Sequence, residues 1–263
     1  MAGSARRALK VLEVVAASDR PLGVTEIARR LGLAPGTVFR TLDALQRSAY
    51  TARYQASARY VLGAGASRLR QSLFAQFKLR DIALPYLRQL ASVCGETVAL
   101  IVPLGWYGVR VTSARGSNEI TNAAPLGPLG PLGQHYAARP ILAFAPEEFI
   151  ARYLAWERSR GFAASAPAAT IEELAAIAER GFAFEEMGFA KGRGALALPI
   201  RDGAAAIAAI AVEGPVLDLK HPLADARAVE IVRAIEAAVK AHPKEFQNPF
   251  GHIDPNTINL DQI

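Results

Sequence analysis

The stretch TEIARRLGLAPGTVFRTLDAL, residues 25–45, predicts two short amphipathic helices joined by a turn of about four residues. Thr25 is the expected N-cap of the first helix, Gly32 ends it, and Pro35 stands in the first turn of the second, where proline is tolerated. The apolar positions recur at helical spacing: Ile27, Ala28, Leu31, Val38, Leu42 and Leu45. This pair predicts a helix-turn-helix, whose second helix presents its first residues to DNA base edges.

The residues on either side extend this unit. Before it, a helix capped by Ser4 is expected, and after it the segments YTARY and RYVL predict two short strands around QASA. Three helices followed by a basic hairpin indicate a winged helix. A purely structural helical bundle does not need such a hairpin, so the order favours DNA binding.

The chemistry of the side chains assigns provisional roles in DNA binding. Thr37 and Arg40 are the best candidates for contacts in the major groove, because Arg suits guanine edges and Thr meets bases or phosphate. Arg53 and Arg59 on the hairpin are expected to contact phosphates or the adjacent minor groove, although each arginine is alternatively a solvated charge. The full set of candidates is Arg6, Arg7, Thr25, Pro35, Gly36, Thr37, Arg40, Thr41, Arg53 and Arg59.

The charge distribution supports this assignment. Residues 1–80 contain 14 Lys or Arg against 4 Asp or Glu, whereas residues 81–263 contain 16 against 20. The basic excess therefore lies in the first third of the chain, as in a polyanion-binding module joined to a different domain. The alternative is a solvated, arginine-rich surface.

The remaining composition points to a cytoplasmic protein. The single cysteine, Cys94, excludes a disulfide framework, and a reducing compartment suits it. The first apolar run is interrupted by Lys10 and Glu13, so we expect an amphipathic helix and not a signal peptide. No window approaches 18 uncharged apolar residues, so no membrane span is expected.

The second half of the chain mixes strands and helices, which predicts an α+β domain. Apolar or alternating segments predict strands at TVALIV, YGVRVTSA, FAFEE, GALALPI and AAIAAIAVEG. Helices are expected at PEEFIARYLAWE, at TIEELAAIAERG with a capping box from Thr170 to Glu173, and at DARAVEIVRAIEAAVKAH. Residues 63–93 predict a long, nearly uninterrupted helical stretch before the first of these strands.

An enzymatic function finds no support in the motifs. His135, His221, His242 and His252 show no metal-ligand spacing with one another or with Cys94, for which a buried, inert thiol is expected. G-x-S-x-G, P-loop and G-x-G-x-x-G motifs are missing from the sequence. We therefore expect no catalytic residue, no metal and no cofactor.

At this point the chain resembles the IclR family of bacterial transcription regulators. Four stretches carry the resemblance: ARRALKVLEVVA with LGVTEIARRLGLAPGTVFRTLDALQRSAY, then RYVLGAGASRL, then LRDIALPYLRQLASVCGETVALIV, then ELAAIAERGFAFEEMGFAKGRGALALPIRDGAAAIAAIAVEGP. The resemblance implies a homodimer or homotetramer on a palindromic double-stranded operator, acting as a repressor or an activator. It also implies a small-molecule effector.

The resemblance sets the expected domain boundaries. A winged helix-turn-helix, mainly α with a β-hairpin wing, is expected over residues 1–65, and a linker helix over 66–79. A C-terminal α+β effector-binding domain with a GAF-like fold follows over 80–245. A loosely ordered tail is expected over 246–263. The Pro-Leu-Gly repeat at 124–133 is expected to be a flexible loop or a flap over the ligand entrance.

The effector pocket departs from the family pattern. One acidic residue is retained as Glu185, but Ala195, Ala211 and Glu213 stand where the family often has a cysteine and two serines. Two alanines cannot hydrogen-bond a small carboxylate and a second glutamate would repel it, unless Glu213 points to solvent. The candidate effector-binding residues are Trp106, Leu132, His135, Tyr136, Ala137, Glu185, Ala195, Ala211 and Glu213.

These residues favour an aromatic effector. Tyr136, with Trp106 or Phe189 if they face inward, suits a ring, and His135 or Arg139 can meet an acid group on it, so an aromatic acid is one candidate. We expect a ligand-responsive regulator of a catabolic operon. The alternative is a member that senses no small molecule, in which Tyr136 only fills the pocket and the protein is a constitutive or architectural DNA binder.

Overall fold

A computed structural model describes residues 2–54, 57–75, 78–118, 126–160, 169–186, 193–215 and 222–241. The chain divides into a first compact unit that ends at residue 76 and a second that begins at residue 77. Phe189, His221, His242, His252 and the predicted tail lie outside the described residues. The finer division into a linker helix and a tail stays a prediction.

The first unit is a winged helix built on a small apolar core. Val11, Leu22, Ile27, Val38 and Leu42 are fully buried at its centre. Its three strands form an antiparallel sheet in the order β1-β3-β2. The elements in chain order are α1 Ala2–Ala16, β1 Leu22–Gly23, α2 Val24–Leu31, α3 Pro35–Arg47, β2 Thr51–Arg53, β3 Arg59–Leu62 and α4 Ala64–Ala75.

The helix-turn-helix and the hairpin are confirmed, and two helix starts are wrong. Ser4 lies inside α1, where a helical backbone prevents it from serving as the N-cap. Thr25 lies in the first turn of α2, whose N-cap is the extended Gly23. The chain passes directly from the unpredicted strand β1 into α2, so the helix begins before Thr25. Gly32 ends α2 with a φ of 63°, and Pro35 begins α3, both as expected.

The second unit has the predicted α+β architecture. Six antiparallel strands lie in the order β6-β5-β4-β9-β8-β7, and the first and last helices contact each other and the sheet. The elements are α5 Lys78–Cys94, β4 Thr97–Leu104, β5 Tyr107–Ala114, β6 Gly127–Pro131, α6 Arg139–Ala143, α7 Glu147–Arg160, α8 Ile171–Arg180, β7 Ala183–Glu186, β8 Arg193–Asp202, β9 Ala205–Pro215 and α9 Pro222–Ala241.

The repeat predicted as a loop contributes an edge strand. Gly127–Pro131 pairs with β5, so this part of the Pro-Leu-Gly repeat is ordered in the sheet. Proline cannot donate to a strand ladder and is therefore tolerated at an edge. Gly127 and Gly130 have φ values of 132° and 127°, which residues with a side chain rarely adopt. An edge position that tolerates proline and two φ values that favour glycine are thus compatible with a sequence typical of loops.

The two faces of the sheet carry different side chains. On one face large apolar residues are buried, among them Leu100, Leu196 and Val212. The opposite face carries small residues at the paired positions of β4, β8 and β9: Ala99, Ala195, Ala197, Ala209 and Ala211. Because alanine projects little, other groups can approach the backbone closely there. That face positions the candidate effector site.

Candidate DNA-binding surface and effector-binding cluster

The start of α3 and the start of α1 lie on one open groove of the first unit. The groove has a volume of about 490 Å³, and Arg7, Thr37, Arg40 and Thr41 all line it. Arg7 and Arg40 are exposed, whereas the two threonines are half-buried. The Thr41 hydroxyl donates to the Thr37 carbonyl at 2.9 Å, which leaves its lone pairs available as acceptors. The structure thus brings together candidates that lie 30 residues apart.

The remaining candidates lie around this groove or on the wing. Pro35 and Gly36 are exposed at the first turn of α3, Thr25 is exposed on α2, and Arg6 is exposed on α1. Arg53 is exposed at the end of β2. All of these positions are open to solvent, as a surface for a polyanion requires.

Arg59 differs from Arg53 because it has partners within the unit. Its Nη1 donates to the Pro21 carbonyl at 3.0 Å and lies 3.6 Å from Glu26 Oε2. Glu26 also accepts a hydrogen bond from Arg20, and that bond, more than the other arginine charges, lowers the pKa of the Glu26 carboxyl. Arg59 therefore ties the wing to α2. Glu26 was not among the predicted residues, although it is the one acidic residue of α2, a helix that also carries Arg29 and Arg30.

The second unit contains a buried ion pair that the sequence reasoning did not predict. Arg110 Nη2 on β5 donates to Glu213 Oε1 on β9 at 2.5 Å, and both side chains are nearly inaccessible to solvent. The Tyr136 hydroxyl donates to the same oxygen at 2.6 Å. The idea that Glu213 points to solvent is wrong. Its charge is paired with Arg110, which reduces the expected repulsion between Glu213 and an acidic ligand.

The two aromatic residues above this ion pair are electrically neutral. Burial and the nearby Glu213 charge raise the pKa of the Tyr136 phenol well above its usual range. Burial, with the positive charge of Arg110 next, lowers the pKa of His135 to about 4. His135 Nδ1 accepts the Ala137 N–H at 3.3 Å, and its ring lies 4.5 Å from the Tyr136 ring. Both residues are half-buried, whereas Glu213 is buried.

The small residues of the sheet allow this loop to lie close to the strands. Ala195 stands directly opposite Glu213, and Ala211 follows on the same face; both are fully buried. A Cβ added at Gly108 would lie 2.7 Å from the Ala138 Cβ. The loop that carries His135, Tyr136 and Ala137 therefore packs directly on the sheet, and Ala137 is fully buried.

Arg139 and Glu185 form a second charged group beside the loop. Arg139 Nη1 donates to Glu173 Oε1 at 2.8 Å and to Glu185 Oε2 at 2.9 Å, and its Nε donates to the Gly133 carbonyl at 3.0 Å. The retained acidic residue is thus an ion-pair partner. Arg139, which we expected to meet an acid group of the ligand, already contacts two carboxylates.

Trp106 and Leu132 belong to the buried core of the second unit. The Trp106 ring packs among aromatic residues of α7, at 4.9 Å from Phe149 and 5.8 Å from Trp156. Leu132 is fully buried, and its N–H donates to the Trp106 carbonyl at 2.8 Å. These contacts belong to the core of the unit. The structure does not bring Trp106 together with Tyr136.

The part of the chain that the structure describes offers neither a membrane-spanning helix nor a metal-binding cluster. Among them no helix is long and apolar enough to cross a membrane. In the same part of the chain no three histidine, cysteine, aspartate or glutamate side chains lie close enough together to hold a metal ion.

Two family models match the chain. The IclR helix-turn-helix domain matches residues 4–53, and the bacterial transcriptional regulator IclR C-terminal domain matches residues 71–241. The HTH-type transcriptional regulator BhcR of Paracoccus denitrificans is 31% identical over 232 residues, which cover 87% of this chain and 83% of that protein. The glycerol operon regulatory protein of Streptomyces griseus is 32% identical, with 92% and 96% covered. The transcriptional repressor IclR of Escherichia coli is 27% identical, with 81% and 80% covered.

Solved structures share the fold. The IclR of Thermotoga maritima superimposes with a TM-score of 0.72 at 22% identity, over 91% of this chain and 99% of that one. An IclR homolog from Microbacterium hydrocarbonoxydans, complexed with 4-hydroxybenzoate, superimposes with a TM-score of 0.70 at 21% identity, over 90% and 99%.

Proposed function

The chain belongs to the IclR family of DNA-binding transcription regulators, and we propose that it controls a catabolic operon in response to a small aromatic metabolite. The observation that carries the sensing part is the buried cluster of Arg110, Glu213 and Tyr136. Ionisable groups that are buried together, beside a histidine with a displaced pKa, mark functional sites more often than plain cores.

DNA recognition is assigned to α3 and the wing. In this proposal Arg40 and Thr37 at the start of α3 read base edges, and they share a groove with Arg7. Arg53 contributes a phosphate contact from the wing. Two linked copies of the chain on a palindromic operator would bind more tightly than one, because binding of the first copy holds the second at a high effective concentration.

Effector recognition is assigned to the loop over the alanine face. Tyr136 and His135 supply aromatic surface, while Glu213 supplies a buried acceptor. A protein of the same fold has been crystallised with 4-hydroxybenzoate, which supports an aromatic ligand class for this chain. The ligand changes operator binding only if its affinity differs between two states of the protein.

The test measures operator affinity of the full chain by fluorescence anisotropy, with and without a panel of aromatic acids, phenols and short keto acids. Thermal shift on the same samples detects binding itself, since a ligand at 100 times its Kd stabilises the fold by about 2.7 kcal/mol. An aromatic compound that shifts both readouts supports the proposal. Binding confined to short keto acids contradicts the aromatic class.

A second candidate function has its own supporting observation. Tyr136 already satisfies Glu213, and the alanine face beneath it is fully buried. A regulator whose site is filled by its own side chain needs no ligand. Stable operator binding that none of the panel alters, with no thermal shift, would favour this constitutive regulator.

A further inference from the structure

Each carboxylate around Tyr136 is already paired with an arginine of the protein itself. Arg110 contacts Glu213, and Arg139 contacts Glu173 and Glu185. With His135 neutral, these two cations and three carboxylates sum to a net charge of −1. A carboxylate that took the place of the Tyr136 hydroxyl would bring a second acceptor against Glu213 Oε1. Neither oxygen could donate a hydrogen bond to the other, so the carboxylate cannot replace the contact that Tyr136 makes.

A neutral hydroxyl meets no such difficulty. The Tyr136 hydroxyl donates to Glu213 Oε1 at 2.6 Å without changing the charge of the cluster. A hydroxyl on a ligand can make the same hydrogen bond if Tyr136 moves aside. Tyr136 lies on a loop and is only half-buried, whereas the alanines of the sheet face beneath it are fully buried.

From these ion pairs and this hydrogen bond we infer that the Tyr136 side chain occupies the effector site when no ligand is bound. The ligand group that replaces it against Glu213 is a neutral phenolic hydroxyl, not a carboxylate. The inference rests on the proposed function for the location of the site and narrows its ligand class. A hydroxylated aromatic acid is accepted by its hydroxyl end, whereas benzoate without a hydroxyl is rejected.

The first experiment replaces the occupant with a free molecule. In the full chain, Tyr136→Ala leaves a space close in size to phenol, and small aromatic molecules fill such spaces. Phenol is expected to raise the Tm of Tyr136→Ala but not of the wild type at the same concentration. Toluene should bind at least about tenfold more weakly than phenol, because it cannot replace the hydrogen bond that the Tyr136 hydroxyl donates to Glu213. Benzoate should not bind.

Two controls assign the effect to Glu213. Tyr86→Ala removes a half-buried tyrosine from α5, away from the ion pair, and should gain no phenol response. In Tyr136→Ala with Glu213→Gln the preference for phenol over toluene should shrink, and benzoate should begin to bind because Arg110 has lost its carboxylate. Equal binding of phenol and toluene, or benzoate binding to Tyr136→Ala alone, would overturn the inference.

Tyr136→Phe gives a second test that does not depend on a cavity. It keeps the ring but removes the hydroxyl that competes for Glu213, so phenol should bind about tenfold or more tightly than to the wild type. Equal affinity in the two proteins contradicts the inference. Operator binding separates the two proposals. If phenol binds Tyr136→Ala but no aromatic compound changes DNA binding, the inference about the ligand group is supported and the proposed sensing function is contradicted. If benzoate binds through Arg110 and changes DNA binding, the sensing function is supported and the inference about the ligand group is contradicted.

Discussion

Arg110 and Glu213 form an ion pair although their strands, β5 and β9, are not neighbours in the sheet. β4 lies between them, and the two side chains reach across it on the face that carries the alanines. Small residues such as Ala99 and Ala211 make this reach sterically feasible. The pair therefore connects three central strands on the side covered by the loop of Tyr136.

Removal of Arg110 alone should destabilise the second unit severely. Arg110→Met leaves Glu213 buried without a cation, and breaking a buried ion pair in this way costs about 3 to 5 kcal/mol. Urea unfolding of the full chain measures the loss. The double variant Arg110→Met with Glu213→Leu should recover most of it, since both charges are then gone. A double variant as unstable as the single one contradicts this account.

The stability of the protein should fall in mild acid because of His135. Its pKa is about 4 in the folded chain against about 6.5 when unfolded, so the unfolded state binds more protons between these values. The stability that the folded state gains from a neutral His135 is fully present above pH 6.5 and is lost as the pH falls toward 4. Between pH 7 and pH 4.5 we expect His135 to account for about 2 kcal/mol of lost unfolding free energy.

The measurement compares urea unfolding of the wild type and of His135→Gln at both pH values. Carboxylates that titrate in the same range contribute equally to both proteins and cancel in the comparison. The variant should lose about 2 kcal/mol less than the wild type on acidification. An identical loss in the two proteins would show that His135 is not responsible.

Arg40 should read sequence, whereas Arg53 should not. Arg40→Ala is expected to weaken binding to the operator by about 1 to 3 kcal/mol more than binding to random DNA. Arg53→Ala serves as the matched control, because a lost phosphate contact weakens both by similar amounts and reduces the salt dependence. Anisotropy titrations on both DNAs provide the data. If Arg40→Ala weakens binding to the operator and to random DNA equally, Arg40 contacts a phosphate and does not read a base.

A methyl group at Gly108 should disrupt the packing of the loop on the sheet. The new Cβ would lie 2.7 Å from the Ala138 Cβ, so Gly108→Ala should destabilise the chain by about 1 to 3 kcal/mol. Ala138→Gly in the same chain removes the clash and should restore part of this loss. Thermal and urea unfolding of the single and double variants test it; additive losses in the double variant would mean that the two residues do not meet.

The winged helix was predictable because its signals are local. Periodic apolar positions, Gly32 and Pro35 fix α2 and α3, and the alternation of RYVL fixes β3. The two-residue strand β1 has no periodicity to detect, and it set the start of α2 before Thr25. The strand at Gly127–Pro131 was missed for a different reason: proline and glycine predict a loop, and only pairing with β5 makes it a strand.

The candidate site was predicted in part. Tyr136, His135 and Glu213 were named from the sequence, but their partner Arg110 was not. The order of the strands determines which side chains face each other, and a single sequence does not contain that order. One signal was available: Arg110 and Glu213 are lone charges in otherwise uncharged strands, and buried charges usually need partners. The aromatic cluster around Trp106 likewise depends on where α7 packs.

The edge strand β6 also bears on how the chain behaves at high concentration. An exposed edge offers unpaired N–H and C=O groups, to which strands of other molecules can add and start aggregation. Pro128 and Pro131 carry no N–H, and Gly127 and Gly130 hold backbone angles unsuited to regular pairing. The same Pro-Leu-Gly units that complete the sheet are therefore expected to disfavour the addition of a strand from another copy at this edge.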